Sequence, residues 1–480
     1  MLAPAKYRTF ASYLTGWLTS IAWVATVAIE TLFAGTIIQG ILILDYPSYD
    51  AKLWQGTLLT WLVIVVCIFI NVVIPNWLPR IEVFILVFHL VGFVAIVATL
   101  WATTENYTPS HNVWAYAING GEWPTQGLSY CVGFLGNVAT FVGADASVHL
   151  AEEVSDAARN IPRAILGAMI INGLVGFVMM ITVLYCLGSF DKVVGGDTGY
   201  PFIQVFVDST KSVAGASVMA AVVLMLTWAC ATGIMTTASR MVWSFARDNG
   251  LPGSKFLSKV DNKTRIPVRA VFVVCAISAA LTLIYVGSYV AFNDIVSLTI
   301  TGFYGSYLLP ASLLLYHRIK GNILPAGTRP EPQSTMGGVG NFKSDKQTHH
   351  LSPEDVDKLK HEGKATDSPP EYATPDVARG SVLNQIPLIW GPWHLPGILG
   401  IANNLYACCY MVFVIFWSVW PPEYHVTPST MNYSILITGA VLIFSAIWYA
   451  VRARKTYRGP TVDEEVVAAV IRSGSVVSVS

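Results

Sequence analysis

Residues 127–153, GLSYCVGFLGNVATFVGADASVHLAEE, are the most informative stretch of this chain. An apolar run of membrane-helix character reaches Gly143, and a carboxylate, a hydroxyl and an imidazole follow within six residues. When a helix breaks inside a membrane, its freed N–H and C=O groups have to be buried in protein or line a wet cavity, where they can bind a polar solute. The pattern therefore predicts a discontinuous helix. The alternative is that Gly143 serves close helix packing and that residues 145–153 are a solvated helix end.

The composition of the whole chain is that of a membrane protein. Of its 480 residues, 54% are hydrophobic and 12% are charged, and the mean hydropathy is +0.55. These values are far more apolar than those of a soluble globular domain, which excludes a cytoplasmic enzyme. The 29 basic residues balance the 29 acidic ones, so no net charge points to a nucleic-acid partner. All seven cysteines lie in apolar runs, where they act as small hydrophobic residues.

Apolar stretches of about 20 residues, the length that crosses about 30 Å of hydrocarbon, predict an all-α polytopic membrane protein with ten spans. The spans are predicted at residues 10–44, 57–74, 81–101, 127–151, 163–188, 213–246, 268–289, 291–317, 395–419 and 431–451.

The polar segments divide the chain into four parts. Residues 1–320 form a core of eight spans, residues 390–455 contain two more, and residues 456–480 form a cytoplasmic tail. Between the two membrane parts, residues 321–389 are rich in proline, glycine and charged residues, which predicts a disordered cytoplasmic insert.

The placement of basic residues predicts the orientation of the spans, because lysine and arginine collect in short cytoplasmic loops. With both termini in the cytoplasm, the outside loops hold only Lys52, Lys192 and Lys211. The loop from Thr103 to Gln126 contains no lysine or arginine, so its sequon at Asn106 is predicted to be glycosylated.

Polar residues inside other spans are weaker candidates for a site. Glu30 lies deep in the first span, where it could bond Thr26, face a cavity or meet a neighbouring helix. The hydroxyl-rich sixth span suits close packing better than a polar path. The motifs HExxH, GxSxG, GxxxxGK[ST] and GxGxxG are absent from the sequence. Ten spans without a catalytic motif favour translocation over catalysis, and no cofactor or metal is predicted.

Several segments resemble one family. They are Ala5-Lys6-Tyr7, residues 12–18, residues 141–146 with His149 and residues 152–154, residues 158–164, Ser239-Arg240, residues 245–252, Gly391-Pro392-Trp393, Met431-Asn432-Tyr433 and residues 457–460. In these segments the chain is similar to the amino acid, polyamine and organocation transporter superfamily, specifically its fungal amino acid, choline and GABA permease branch. The resemblance implies a LeuT-like fold, in which two inverted five-helix repeats enclose the substrate and two accessory helices follow.

The resemblance also assigns site residues. The family's broken sixth helix maps onto the stretch quoted above, which implies substrate binding by Phe141, Gly143, Ala144, Asp145 and Ser147. It implies cytoplasmic gating by a second set of residues, which are Glu152, Glu153, Arg247 and Asp248.

The first predicted span corresponds to the family's third helix. The chain is therefore expected to lack the family's first two helices, as an amino-terminally truncated gene model or a degenerate paralogue would.

The function implied is a plasma-membrane transporter of small amines or amino acids, such as choline, GABA or other amino acids, working by alternating access. Proton coupling rests on the resemblance alone. An aromatic cage would favour a quaternary ammonium substrate. The alternative is a non-transporting membrane protein, either a nutrient-sensing receptor or an inactive truncated paralogue.

Overall fold

The computed structural model describes residues 2–196, 198–287, 291–325, 388–428 and 430–459. Most of the predicted polar insert and all but the first residues of the predicted tail lie outside these ranges. The side chains of Glu152 and Glu153 also lie outside the described part of the chain.

Helices make up nearly all of the described structure. In chain order they are α1 (Arg8–Asp45), α2 (Leu53–Val73), α3 (Leu78–Thr103), α4 (Ser110–Trp114), α5 (Gln126–Thr140), α6 (Ala157–Tyr185), α7 (Phe190–Val194), α8 (Pro201–Thr210), α9 (Val213–Arg247), α10 (Ser254–Leu257), α11 (Val268–Thr282), α12 (Ile284–Gly287), α13 (Ala291–Lys320), α14 (Gly397–Ser418), α15 (Ser434–Trp448) and α16 (Arg454–Thr456). Two 3₁₀ segments, Pro75–Trp77 and Ala144–Glu153, and one π segment, Tyr449–Ala453, complete them.

The predicted spans are confirmed. Among the described residues, nine helices are long and apolar enough to cross a membrane, and the bent pair of α5 with the following 3₁₀ segment makes a tenth. The bounds agree with the predicted spans to within a few residues at most ends, because about 20 apolar residues are needed wherever a helix crosses lipid.

The insert begins and ends in ordered structure, which the sequence did not predict. Strand β1 (Ile323–Leu324) pairs in parallel with strand β2 (Leu388–Ile389). Beside them, the guanidinium of Arg318 lies 4.3 Å from the ring centre of Trp390. The two ends of the insert therefore meet at the end of α13.

Helix α1 lies at the centre of the bundle and contacts α2, α9, α11, α13 and α15. Small residues allow this packing: Ala22, Ala25, Ala28 and Ala34 have no exposed surface. A methyl group at Gly35 would lie 2.5 Å from the backbone nitrogen of Thr60 in α2, so the two backbones are in direct contact there. Close approach through small residues is the usual way in which helices associate within membranes.

The hydroxyl-rich helix α9 serves packing, as the sequence favoured. The Asn71 side chain of α2 donates to the Thr232 carbonyl oxygen at 3.2 Å and accepts from the Thr236 hydroxyl at 2.5 Å. Thr237 bonds a carbonyl oxygen of its own helix. These hydroxyl groups are therefore used within the helix pair.

Candidate functional site

The predicted discontinuous helix is present. Helix α5 ends at Thr140, the 3₁₀ segment begins at Ala144, and their axes differ by 40°. Between them Gly143 has φ +88° and ψ 9°, a left-handed conformation that a residue with a Cβ rarely adopts. The break thus follows from the glycine.

Backbone polar groups are left unbonded at the break. Within the described residues, the N–H group of Gly143 donates to no backbone acceptor, and no backbone N–H reaches the carbonyl oxygens of Phe141 or Val142. Such groups are costly in hydrocarbon unless a polar solute or water satisfies them. The break therefore presents both donors and acceptors to a ligand.

A buried tryptophan lies against this break. A methyl group at Gly143 would lie 3.6 Å from Cη2 of Trp23. The indole is 1% exposed, and its ring meets those of His149 and Phe303 edge-to-face, with centres 5.7 and 5.0 Å away. Its Nε1 is buried and has no hydrogen-bond partner in the described part of the chain. Trp23 therefore forms an aromatic wall beside the break and faces Gly143 through Cη2.

The other predicted substrate residues lie around the same break. Phe141 is 43% exposed, and a methyl group at Gly173 of α6 would lie 3.5 Å from its ring. Ala144 begins the 3₁₀ segment. The Ser147 hydroxyl is buried, and the described residues provide no hydrogen-bond partner for it.

Asp145 is engaged by protein partners. Its Oδ1 accepts a hydrogen bond from the Tyr307 hydroxyl at 2.5 Å, and its Oδ2 lies 3.1 Å from Nε2 of His149. The side chains of Asp145 and His149 are only 19% and 17% exposed. Both carboxylate oxygens are thus in use, and Asp145 fastens the broken helix to α13.

Sequence reasoning missed Trp23 and Tyr307 as parts of this site. A tryptophan or tyrosine buried in a membrane span normally needs a partner for its polar atom. That need is a signal in the sequence, but it does not identify the partner. Tyr307 is 162 residues from Asp145 along the chain.

The predicted gating residues lie at the end of the bundle where α1 begins. Arg247 ends α9 with its guanidinium 4.8 Å from the ring centre of Trp243. Asp248 follows it, is 8% exposed, and donates its N–H to the Ser244 carbonyl oxygen at 3.2 Å. Helix α9 also contacts the 3₁₀ segment that ends at Glu153.

Three distant segments of the chain meet at this end. The Tyr13 ring of α1 packs on Phe245 of α9 and on Tyr457 after α16. The hydroxyl groups of Tyr457 and Ser12 are 2.6 Å apart. Burial, with a smaller contribution from nearby Asp248, raises the pKa of Tyr457 to about 12. Three of the segments that carry the family resemblance are therefore packed together here.

Two carboxylates form a second polar region, between α1, α3 and α9. Glu30 and Glu82 both lie near enough to the Cys230 thiol to act on it electrostatically. A methyl group at Gly233 would lie 3.2 Å from Oε1 of Glu82. Thr26 bonds the Ala22 carbonyl oxygen instead of Glu30. Neither glutamate has a hydrogen-bond or ion-pair partner within the residues that the structure describes.

The comparisons with known proteins identify the family. A sequence model of the family described as amino acid permease matches residues 3–441. The chain belongs to the amino acid permease family. A protein of Macrophomina phaseolina, provisionally named an amino acid/polyamine transporter, is 32% identical over 322 residues, which are 67% of this chain and 71% of that protein.

Two further relatives have transporter names. The choline transporter of Saccharomyces cerevisiae is 30% identical over 315 residues, 65% of this chain and 56% of that protein. The swainsonine transporter of Arthroderma benhamiae is 28% identical over 316 residues, 66% of this chain and 62% of that protein. The chain thus spans little more than half the length of the choline transporter.

Family and fold together confirm the coarse predictions. The chain is an all-α integral membrane protein of a permease family, and it is a transporter rather than an enzyme.

Proposed function

We propose that this amino acid permease moves a small amine or amino acid across the plasma membrane by alternating access, with the substrate's polar head bound at the break beside Gly143. The observation that carries the proposal is the set of unbonded N–H and C=O groups at the break, with the aromatic edge of Trp23 alongside. Broken membrane helices bind polar solutes through such groups.

The groups at the break suit a substrate that has both a hydrogen-bond-accepting group, such as a carboxylate, and an ammonium group. The free N–H group of Gly143 donates a hydrogen bond, which favours a carboxylate or hydroxyl group. The carbonyl oxygens of Phe141 and Val142 accept hydrogen bonds, which favours an ammonium group. The relatives named for amino acid/polyamine and choline transport support the same class of substrate.

We assign distinct roles to the predicted site residues. Phe141, Gly143, Ala144 and Ser147 contact the substrate, whereas Asp145 positions the 3₁₀ segment through Tyr307. Glu152, Glu153, Arg247 and Asp248 form the gate, at an end of the bundle that faces the cytoplasm together with both termini. The eight-span core, the two further spans, the polar insert and the tail keep the predicted division.

Coupling to protons is proposed at Glu30 and Glu82. A charged carboxylate without a partner is expensive inside a membrane, so such residues usually mark ion or proton pathways. The two glutamates lie beside α9 and away from the contacts of Asp145. A proton bound to them and a substrate bound at the break would therefore occupy separate places in the same helix bundle.

Uptake of radiolabelled choline, GABA and other amino acids by yeast cells lacking related permeases tests the function. Gly143→Leu should abolish uptake, because a leucine strains the left-handed backbone and fills the space beside Trp23. Gly136→Leu is the matched control: it lies in α5, and a methyl group there would meet no atom within 4 Å.

Two results would contradict the proposal. One is equal uptake by the two variants at equal surface expression. The other is a wild-type chain that reaches the cell surface and takes up none of these substrates, which favours the non-transporting alternative.

A further inference from the structure

A cavity of about 180 Å³ lies at the end of the bundle where α1 ends. Its walls come from the last turns of α1, the start of α2, the loop before α8, and α12; the residues used below are Phe33, Thr36, Gln39, Ala51, Tyr200 and Tyr285. Thr36 is thirteen residues beyond Trp23 on the same helix, a distance of about 20 Å at 1.5 Å per residue. The cavity is therefore separate from the break at Gly143.

The wall formed by the loop is held closely against α1. A methyl group at Gly40 would lie 2.9 Å from the carbonyl oxygen of Thr198, so only glycine allows this approach. The hydroxyl groups of Thr36 and Tyr200 are 2.5 Å apart and join the loop to the helix. The cavity is thus bounded by fixed contacts on this side.

Gln39 provides an unused acceptor in this lining. It is 6% exposed, and its Nε2 donates to the carbonyl oxygen of Lys52 at 3.0 Å and to the Tyr49 hydroxyl at 3.4 Å. Since a carbonyl oxygen can only accept, the contact with Lys52 fixes which way the amide faces. A methyl group at Gly56 would lie 2.7 Å from Oε1. Among the described residues, nothing donates to this oxygen.

We propose that the cavity binds a small primary amine, whose ammonium group donates to Oε1 of Gln39. Phe33, Tyr200 and Tyr285 supply aromatic surface, which attracts cations. Lys52 does not repel the ligand strongly, because its own ammonium pairs with Asp50 at 2.5 Å. The volume corresponds to about six waters, enough for a molecule the size of ethanolamine.

The chemistry predicts a sharp selectivity. A primary ammonium group has N–H donors, whereas the quaternary ammonium of choline has none. Ethanolamine should therefore bind in this cavity more tightly than choline, whose hydroxyl is its one donor, whichever substrate is transported through the break at Gly143.

Equilibrium dialysis of radiolabelled ethanolamine against the purified full chain in lipid nanodiscs tests the proposal. Ala51 lines the cavity, and Ala51→Phe would fill it. This variant should weaken binding by roughly tenfold or more, as overfilling a closed space does. Ser48→Phe adds the same ring to the same loop outside the lining and should leave binding unchanged. Gln39→Met, which removes the acceptor at similar length, should also weaken it.

The outcomes separate this site from the proposed transport site. Ethanolamine binding that persists in Gly143→Leu and is lost in Ala51→Phe supports the cavity, even if no uptake is found. The proposal is overturned if wild type binds no ethanolamine up to about 10 mM, if Ala51→Phe binds it like Ser48→Phe, or if choline competes as strongly as unlabelled ethanolamine.

Discussion

The hydroxyl group of Tyr307 lies 2.5 Å from Oδ1 of Asp145. This hydrogen bond joins α13 to the 3₁₀ segment that follows the break at Gly143. The second carboxylate oxygen lies 3.1 Å from Nε2 of His149, one turn further along that segment. The position of the broken helix thus depends on a side chain from a different helix.

Removing the Tyr307 hydroxyl should loosen the broken helix. Tyr307→Phe keeps the ring and loses a hydrogen bond to a carboxylate, which is worth about 1.5 to 3 kcal/mol. We expect a lower unfolding temperature and weaker apparent substrate affinity in uptake assays. Tyr316→Phe is the control, because Tyr316 is on the same helix and is 54% exposed. Equal behaviour of the two variants would show that the contact has no role in positioning.

Asp145→Asn separates charge from hydrogen bonding. The asparagine keeps an oxygen that accepts from Tyr307 but carries no charge opposite His149. If Asp145 positions the segment through Tyr307, uptake should survive in Asp145→Asn and fall in Asp145→Leu. Uptake is measured across pH 5 to 8, the range in which a histidine titrates most often. Loss of uptake in both variants would favour direct contact between the charge and the substrate.

A methyl group at Gly35 should destabilise the centre of the bundle. Gly35→Ala places a carbon 2.5 Å from the backbone nitrogen of Thr60, and a backbone atom cannot move aside as a side chain does. We expect a loss of about 1 to 3 kcal/mol, which thermal unfolding in detergent measures. At Gly167 of α6 no atom lies within 4 Å of the added methyl, so Gly167→Ala should be neutral or stabilising. If the Gly35→Ala protein were as stable as wild type, the backbones of α1 and α2 would have to lie further apart than the structure shows.

Glycosylation tests the orientation of the chain. Asn106 is exposed between α3 and α4 and should carry a glycan. The other sequons are Asn262-Lys263-Thr264 and Asn432-Tyr433-Ser434, and Asn262 should not be modified if its loop faces the cytoplasm as proposed. Asn432 should also be unmodified, since it is 5% exposed and its Nδ2 donates to Ser297, Ser418 and Trp420. Endoglycosidase digestion of wild type and Asn106→Gln distinguishes these cases. A glycan on Asn262 would reverse the assigned sidedness.

The segment after the last span should stabilise the proposed gate. Tyr457→Phe removes the hydroxyl that lies 2.6 Å from Ser12 and should cost about 0.5 to 1.5 kcal/mol. Because burial raises the pKa of Tyr457 to about 12, its hydroxyl stays protonated up to that pH, and the effect should be constant between pH 5 and 9. Tyr433→Phe, which loses an exposed hydrogen bond to Pro428, is the control. An effect of Tyr457→Phe that varied across this range would contradict a neutral hydroxyl.

Local sequence patterns were enough for the spans and for the break. A helix that crosses lipid must satisfy its backbone internally and present about 20 apolar residues, so its position can be predicted without its neighbours. The break at Gly143 could also be predicted from the local sequence, because a left-handed backbone conformation favours glycine.

The partners of these helices could not be predicted in the same way. Lipid is as apolar as leucine, so hydropathy does not say which helices meet; close contacts and hydrogen bonds decide it. Asp145 was predicted to bind substrate, yet its partner Tyr307 and the Trp23 ring beside Gly143 come from helices whose approach no local pattern encodes. The cavity beside Gln39, which Tyr200 and Tyr285 also line, and the bond of Asn432 to Ser297 depend likewise on residues far away in the chain. Sequence alone could therefore predict which segments enter the membrane and where one of them breaks. The packing of α1, α9 and α13 set the polar contacts around that break, because those contacts form only between helices already brought together.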